Sequence, residues 1–174
     1  RGGGGTPGRL AEAILHHVHA ALRYERGRTH VGTVASEAMA LGSGVCQDYT
    51  HVMLAICRLA GLSARYVSGL LPGEGQMHAW VEVLFPGAAQ KPPTWVGYDP
   101  THQRRCDERY IAVAVGRDYQ DIAPTSGYYE GEATNQLDMA VSVVLESHGP
   151  AERWLSGQGL AQPPVSMPDE QQQQ

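Results

Sequence analysis

Residues Val52 to Cys57 are six apolar residues in a row, set inside a segment that otherwise reads as a helix. The spacing predicts that helix from about Cys46 to Ala60, where Gly61 stops it. A helix that is apolar on nearly all sides is a buried one. The rest of the chain must therefore cover it. With 174 residues, of which 42% are hydrophobic and 18% charged, the chain can build one domain with a real core but not two ordinary ones.

The segments before this helix also read as helical. Thr6 is placed to cap and Pro7 fits a first helical position. Leu10, Ile14, Val18 and Leu22 then recur every four residues as an apolar stripe. Arg9, Glu12, His16, His19 and Arg23 are expected on the opposite face. Thr33 to Leu41 reads as a short second helix stopped by Gly42. After the buried helix the pattern changes to strands at Ala64–Leu71, His78–Phe85, Trp95–Asp99, Tyr110–Val115 and Leu137–Leu145. Helices first and strands second is an α+β order, and short connections predict an antiparallel sheet.

Four glycines at 2–5 read as a linker, and the stretch from about Ser147 is rich in Pro, Gly, Ser and Gln. Such segments carry too little apolar surface to offset the entropy of ordering them. The folded domain is thus expected over 6–146, with flexible tails at 1–5 and 147–174. The formal net charge of −5 and the lack of a basic run argue against a nucleic-acid partner. No apolar stretch approaches the roughly 20 residues that span a bilayer, so no membrane partner is expected. Three Cys without a CxxC argue against a disulfide framework and for a reducing, cytoplasmic location. Arg1 is not a natural start, and an additional N-terminal region is expected upstream.

The chemistry concentrates at GSGVCQDYTH, residues 42–51. Taken alone, Cys46 is most simply a small core residue. Its position at a helix start allows more, because unpaired N–H groups and a partial positive charge stabilise a thiolate there. Gly42 and Gly44 would let a substrate backbone come close. Cys57 lies about 16 Å along the same helix, too far for a disulfide, and reads as packing. Cys106, among Arg104, Arg105, Asp107 and Glu108, reads as a surface thiol.

A reactive thiol needs a base and the base an orienter. His78 opens the strand HAWVEVLF after the loop Pro72–Gly75. Alternation puts His78, Trp80, Glu82 and Leu84 on one face and Ala79, Val81, Val83 and Phe85 on the purely apolar other. Asp99 closes WVGYDPTH. Asp-Pro alone reads as turn initiation; a carboxylate at a strand end can also accept the second ring N–H of a neighbouring His. Cys, His and Asp in this order on a helix start and two strands follow the logic of nucleophile, base and orienter.

These segments resemble the transglutaminase-like superfamily in its bacterial branch. GVCQDYTH is similar to the family's Cys motif, SARYVSGLL to the strand after the Cys helix, HAWVEV to the His motif and WVGYDPTH to the Asp motif. Residues 110–131 resemble the family's downstream segment, and the likeness covers about 10–146. The resemblance implies an α+β fold with a papain-like core, the Cys-bearing central helix packed on an antiparallel sheet. It implies Cys46 as nucleophile, His78 as general base and acid, and Asp99 as orienter. Asp48 is similar to a motif residue and is expected to support the helix start. Tyr24 is a candidate second oxyanion donor beside the Cys46 N–H. Gln47, Tyr66, Ser68 and Trp80 are further candidates near the substrate, and Arg65 could line the groove. The family commonly has Asn where this chain has His102, which reads as a solvated His outside the triad.

The implied activity is a thiol-dependent hydrolase of peptide or isopeptide bonds, acting on a protein or peptide through a thioester. The alternatives are a glutamine-directed amine acyltransferase and a catalytically idle binding module. His16, His17 and His19 do not make a metal site, since only His16 and His19 share the polar face and no Cys or carboxylate completes it. No calcium loop is present. No metal and no cofactor are expected.

Overall fold

The computed structural model describes residues 6–87, 91–123 and 141–144. Helix α1 (Pro7–Ala21) begins with Pro at its first turn. Its core stripe is Ala11, Ile14, Leu15, Val18 and then Leu22. Leu10, expected in that stripe, is 39% exposed. A strict four-residue spacing drifts about 40° per step on a 3.6-residue helix, so Leu10 rolls off the face that Val18 and Leu22 share. The polar face is also not simply solvated. Glu12 pairs with Arg105, Gln103 donates to His16 Nδ1 at 2.9 Å, and His19 Nδ1 donates to the Pro100 carbonyl at 3.1 Å. One side of α1 thus lies against the turn that follows Asp99.

Strand β1 (Arg23–Tyr24) leads to helix α2 (Ala35–Leu41), then strand β2 (Ser43–Gly44) and helix α3 (Cys46–Leu59). Helix α2 starts two residues later than its sequence suggests. Thr33 stays outside and accepts the His30 N–H, while the Glu37 carboxylate accepts the Val34 N–H. Gly42 ends α2 in the left-handed region at φ 63°, which a residue with a Cβ adopts only at a cost. Helix α3 ends at Leu59, with Gly61 at φ 76° just beyond.

The second half forms one antiparallel sheet of β3 (Ala64–Leu70), β4 (His78–Phe85), β5 (Thr94–Asp99), β6 (Arg104–Arg105) and β7 (Ile111–Gly116), in the order β6-β5-β4-β3-β7. Register is fixed by pairs such as Tyr66 with Val81 and Val81 with Tyr98. A bulge between Ser68 and Gly69 interrupts the β3–β7 ladder. Of the expected last strand, Leu137–Leu145, only 141–144 are described and they are not in a strand; the rest lies outside the described residues. The expected tails at 1–5 and 147–174 lie outside them too.

Ala79, Val81 and Val83 face α3, as alternation predicts, and pack with Val52, Met53, Leu54 and Cys57 from the helix and Ile14, Leu15 and Val18 from α1. The architecture is α+β, with the apolar run of α3 enclosed between α1, α2 and the sheet.

Candidate active site

Three pieces of local structure build the site around α3's first residue. The first is a parallel pairing of only two residues, Arg23 with Ser43 and Tyr24 with Gly44. It carries no sequence periodicity, so the pattern of residues does not announce it. It seats Tyr24 beside the segment that leads into Cys46.

The second is the start of α3. Val45 precedes the helix and has no side-chain acceptor, so the capping role falls to Asp48. Its Oδ2 accepts the Val45 N–H at 2.8 Å and the Thr29 hydroxyl at 2.7 Å. Asp48 is buried. Gly44 is glycine for this reason: a Cβ there would lie 2.5 Å from Asp48 Oδ2. Gly42 and Gly44 therefore serve the chain's own turn and packing, where substrate approach was expected. The N–H groups of Cys46 and Gln47 are among the first four that a helix cannot pair internally.

The third is Asp99, at the end of β5. Its Oδ1 accepts the backbone N–H groups of Thr101 at 2.9 Å and His102 at 3.1 Å, which makes the Asp-Pro turn. Its Oδ2 accepts from His78 Nε2 at 2.8 Å. Turn former and His partner, the two readings of Asp-Pro, are thus both correct, one oxygen each. Oδ2 also accepts from His102 Nδ1 and from the Tyr110 hydroxyl, each at 2.7 Å. Tyr110 in turn accepts from Arg104 Nε at 2.7 Å.

His102 is therefore not a freely solvated residue. The turn folds its side chain back onto Asp99, and its ring centroid lies 5.1 Å from that of His78. Tyr110 was read only as the first residue of a strand; it stands just before β7 and points its hydroxyl into the site. The signal for His102 was in the sequence, because an Asx turn brings residue i+3 next to the Asp. Tyr110 had none, since its reach depends on tertiary placement.

His78 is 2% exposed and Asp99 0%. Burial is the largest single influence on His78 and lowers its pKa; hydrogen bonds with Asp99 and Cys46 and their charges outweigh it and raise it to about 10. Burial likewise pushes the Asp99 carboxyl up, and the hydrogen bonds from His78, His102 and Tyr110 with the His78 charge hold it well below the usual carboxylate range. With Nε2 turned to Asp99, the other ring nitrogen is left for Cys46. A ring whose protonated form is favoured has a proton to give beside a partly exposed thiol.

The remaining candidates separate. Tyr24 is 42% exposed, and burial followed by the neighbouring Cys46 charge raises its phenol above the ordinary value. Trp80 is buried and stacks on His78 at 6.4 Å, so it holds the imidazole from behind and does not line a groove. Gln47 donates to the Val31 carbonyl at 2.9 Å. Tyr66 is in the core against His51, with ring centroids 5.2 Å apart; its partner Val81 is on the α3 face of the sheet, which turns Tyr66 inward, and burial followed by the Cys46 charge raises its phenol. Ser68 is half-buried on the same strand. Arg65 pairs with Glu82 and lies over Trp95 at 4.1 Å. Cys57 is core and pushed up to about 12 by burial. Cys106 is half-buried against Gly97, not at the surface as its charged neighbours suggested, because β6 turns it under the sheet.

Among the described residues no helix is long and apolar enough to cross a membrane. Comparison with known proteins adds the following. The sequence model of the transglutaminase-like superfamily matches residues 1–100, a span that includes Cys46, His78 and Asp99. An uncharacterized protein of Mycobacterium leprae is 35% identical over 147 residues, covering 79% of this chain and 50% of that protein. An uncharacterized protein of Mycobacterium tuberculosis is 37% identical over 145 residues, covering 75% and 45%. The chain thus spans about half the length of the curated relatives it matches. Among solved structures, a "Putative Cysteine Protease" from Cytophaga hutchinsonii matches with TM-score 0.60 at 25% identity, over 78% of this chain and 46% of that one. Legionella pneumophila LapG matches with TM-score 0.52 at 13% identity, over 64% and 65%, a likeness of fold. These neighbours fit an α+β, papain-like core.

Proposed function

The chain belongs to the transglutaminase-like superfamily, and from that premise we propose that it is a thiol-dependent hydrolase of peptide or isopeptide bonds. The observation that carries the reading is the position of His78. It is buried, bonded at Nε2 to Asp99 at 2.8 Å, and near enough to Cys46 for the thiol to help raise its pKa. A purely structural His has no need of a thiol partner at a helix start. The cysteine-protease description of the Cytophaga structure favours hydrolysis over transfer.

In this reading the Cys46 thiolate attacks the amide carbonyl carbon. The carbonyl π electrons move onto oxygen, beside the N–H of Cys46 and within range of Tyr24. The protonated His78 gives its proton to the leaving nitrogen as the C–N bond breaks. A Cys46 thioester and a free amine result. His78, now neutral, takes a proton from water; the hydroxide equivalent attacks the thioester, and the C–S bond breaks. The acid departs and the thiolate–imidazolium pair is restored. Asp99 holds the ring orientation and stabilises its charge throughout. The substrate is a protein or peptide, and the reaction needs no metal.

The test is a product analysis. The chain is incubated with a mixed peptide library and a primary amine, and new termini are read by mass spectrometry. Free acids that vanish with Cys46→Ala support hydrolysis. Amine adducts in excess of free acid overturn it in favour of acyl transfer.

A further inference from the structure

Beside the triad stand two metal-ligating side chains that the proposed reaction does not use. Glu74, on the loop before β4, and His102, after Asp99, join His78 to bring three ligand atoms within 4.8 Å of one another. His102 Nε2 is 3.1 Å from Glu74 Oε1. In a zinc tetrahedron with bonds of about 2.0–2.2 Å, neighbouring ligand atoms lie roughly 3.3–3.6 Å apart. The Glu74–His102 pair stands close to that separation, and the flexible Glu74 arm can adjust toward His78.

Two further features fit a metal. Metal-ligating imidazoles are usually oriented by a carboxylate on their second nitrogen. Asp99 Oδ2 bonds both rings, at 2.8 Å to His78 and 2.7 Å to His102. The donor set also selects the cation. Two imidazoles and one carboxylate suit zinc and leave an open fourth position, whereas calcium and magnesium take oxygen ligands. The site is reachable: the Glu74 and His102 side chains are 25% and 35% exposed, and buried His78 forms its inner end.

We propose that Glu74, His78 and His102 form a zinc site whose occupation silences Cys46. A bond forms between the metal and one nitrogen of each ring, and the protons on those nitrogens pass to solvent. The lone pair of His78 that would serve Cys46 is then spent on the metal, so zinc and the Cys46–His78 pair exclude one another. Only the inhibitory consequence rests on the hydrolase reading; the binding does not.

The experiment uses the full chain without a polyhistidine tag. Zinc chloride is titrated by calorimetry, and bound metal is counted after dialysis by elemental analysis. The expected result is one zinc per chain. Glu74→Gln and His102→Asn, each checked for a native circular dichroism spectrum, should weaken binding by about tenfold or more. Cys46→Ala should bind zinc at least as tightly as wild type, because no thiol then competes for His78, which separates the metal site from the catalytic reading. Zinc should also slow alkylation of Cys46, and a chelator should restore it. No zinc uptake by wild type, uptake unchanged in both variants (metal held elsewhere, such as His16 and His19), uptake lost in Cys46→Ala, or alkylation of Cys46 unchanged by zinc would each overturn the proposal.

Discussion

Asp48 fixes where α3 begins, and its replacement by Ala has a magnitude that follows from its contacts. The substitution removes the cap on the Val45 N–H, worth about 1 kcal/mol, and the charged hydrogen bond from Thr29, worth about 1.5–2 kcal/mol. Against this, Asp48 Oδ1 is buried without a hydrogen-bond partner among the described residues, and removing it returns about 1 kcal/mol. The net expectation is a loss of about 2 kcal/mol. With a urea m-value of about 2 kcal/mol/M, the unfolding midpoint falls by about 1 M. Asp48→Asn keeps an acceptor for Val45 but not the charge, and should fall between Ala and wild type. Cys46 is two residues away in the same turn, so its alkylation rate should drop in Asp48→Ala even well below the midpoint. A midpoint shift under about 0.25 M, the size of an ordinary surface substitution, would refute the assignment of Asp48 as the cap.

Other expectations follow from the same geometry. In the native chain iodoacetamide should label the partly exposed Cys46 and spare buried Cys57, whose thiol burial pushes up to about 12; His78→Ala should slow the labelling of Cys46, and peptide mass spectrometry reads both. The raised His78 pKa stabilises the fold fully below the unfolded value of about 6.5 and loses that contribution as pH rises through about 10. Asp99, held low, contributes above its unfolded value of about 4 and loses its contribution as pH falls. Urea midpoints should therefore decline on both sides of neutrality, and His78→Ala should flatten the alkaline decline. Tyr110→Phe keeps the ring against Trp80 but removes a donor to Asp99 and an acceptor for Arg104; it should cost about 1–2 kcal/mol and lower the melting temperature by about 4 °C, read by calorimetry.

The elements with strong local signals are those the sequence makes legible. Helix α3 shows in its apolar run, β4 in its alternation, and Cys46, His78 and Asp99 in their order along the chain. The elements that were not legible are short or depend on long-range placement. Strands β1 and β2 are two residues each, below any period. Cys106 looks exposed because its neighbours are charged, yet its own direction is set by pairing with β5. Tyr66 looks available on a strand, but the face it takes is decided by Val81 across the ladder. The partners of Asp99 were legible only in part, since the turn announces His102 while nothing local announces Tyr110.

One oxygen of Asp99 receives three donors, and this makes positions 78, 102 and 110 a single heritable unit. A change at one alters the charge and geometry that the other two meet, so their effects will not add. Replacing His102 with Asn leaves Tyr110 and His78 to share what three had divided, and replacing Tyr110 shifts that share to the two rings. Across relatives of this chain, the residue at 102 should therefore vary in step with the one at 110. A lineage that drifts at one position meets its constraint at the other.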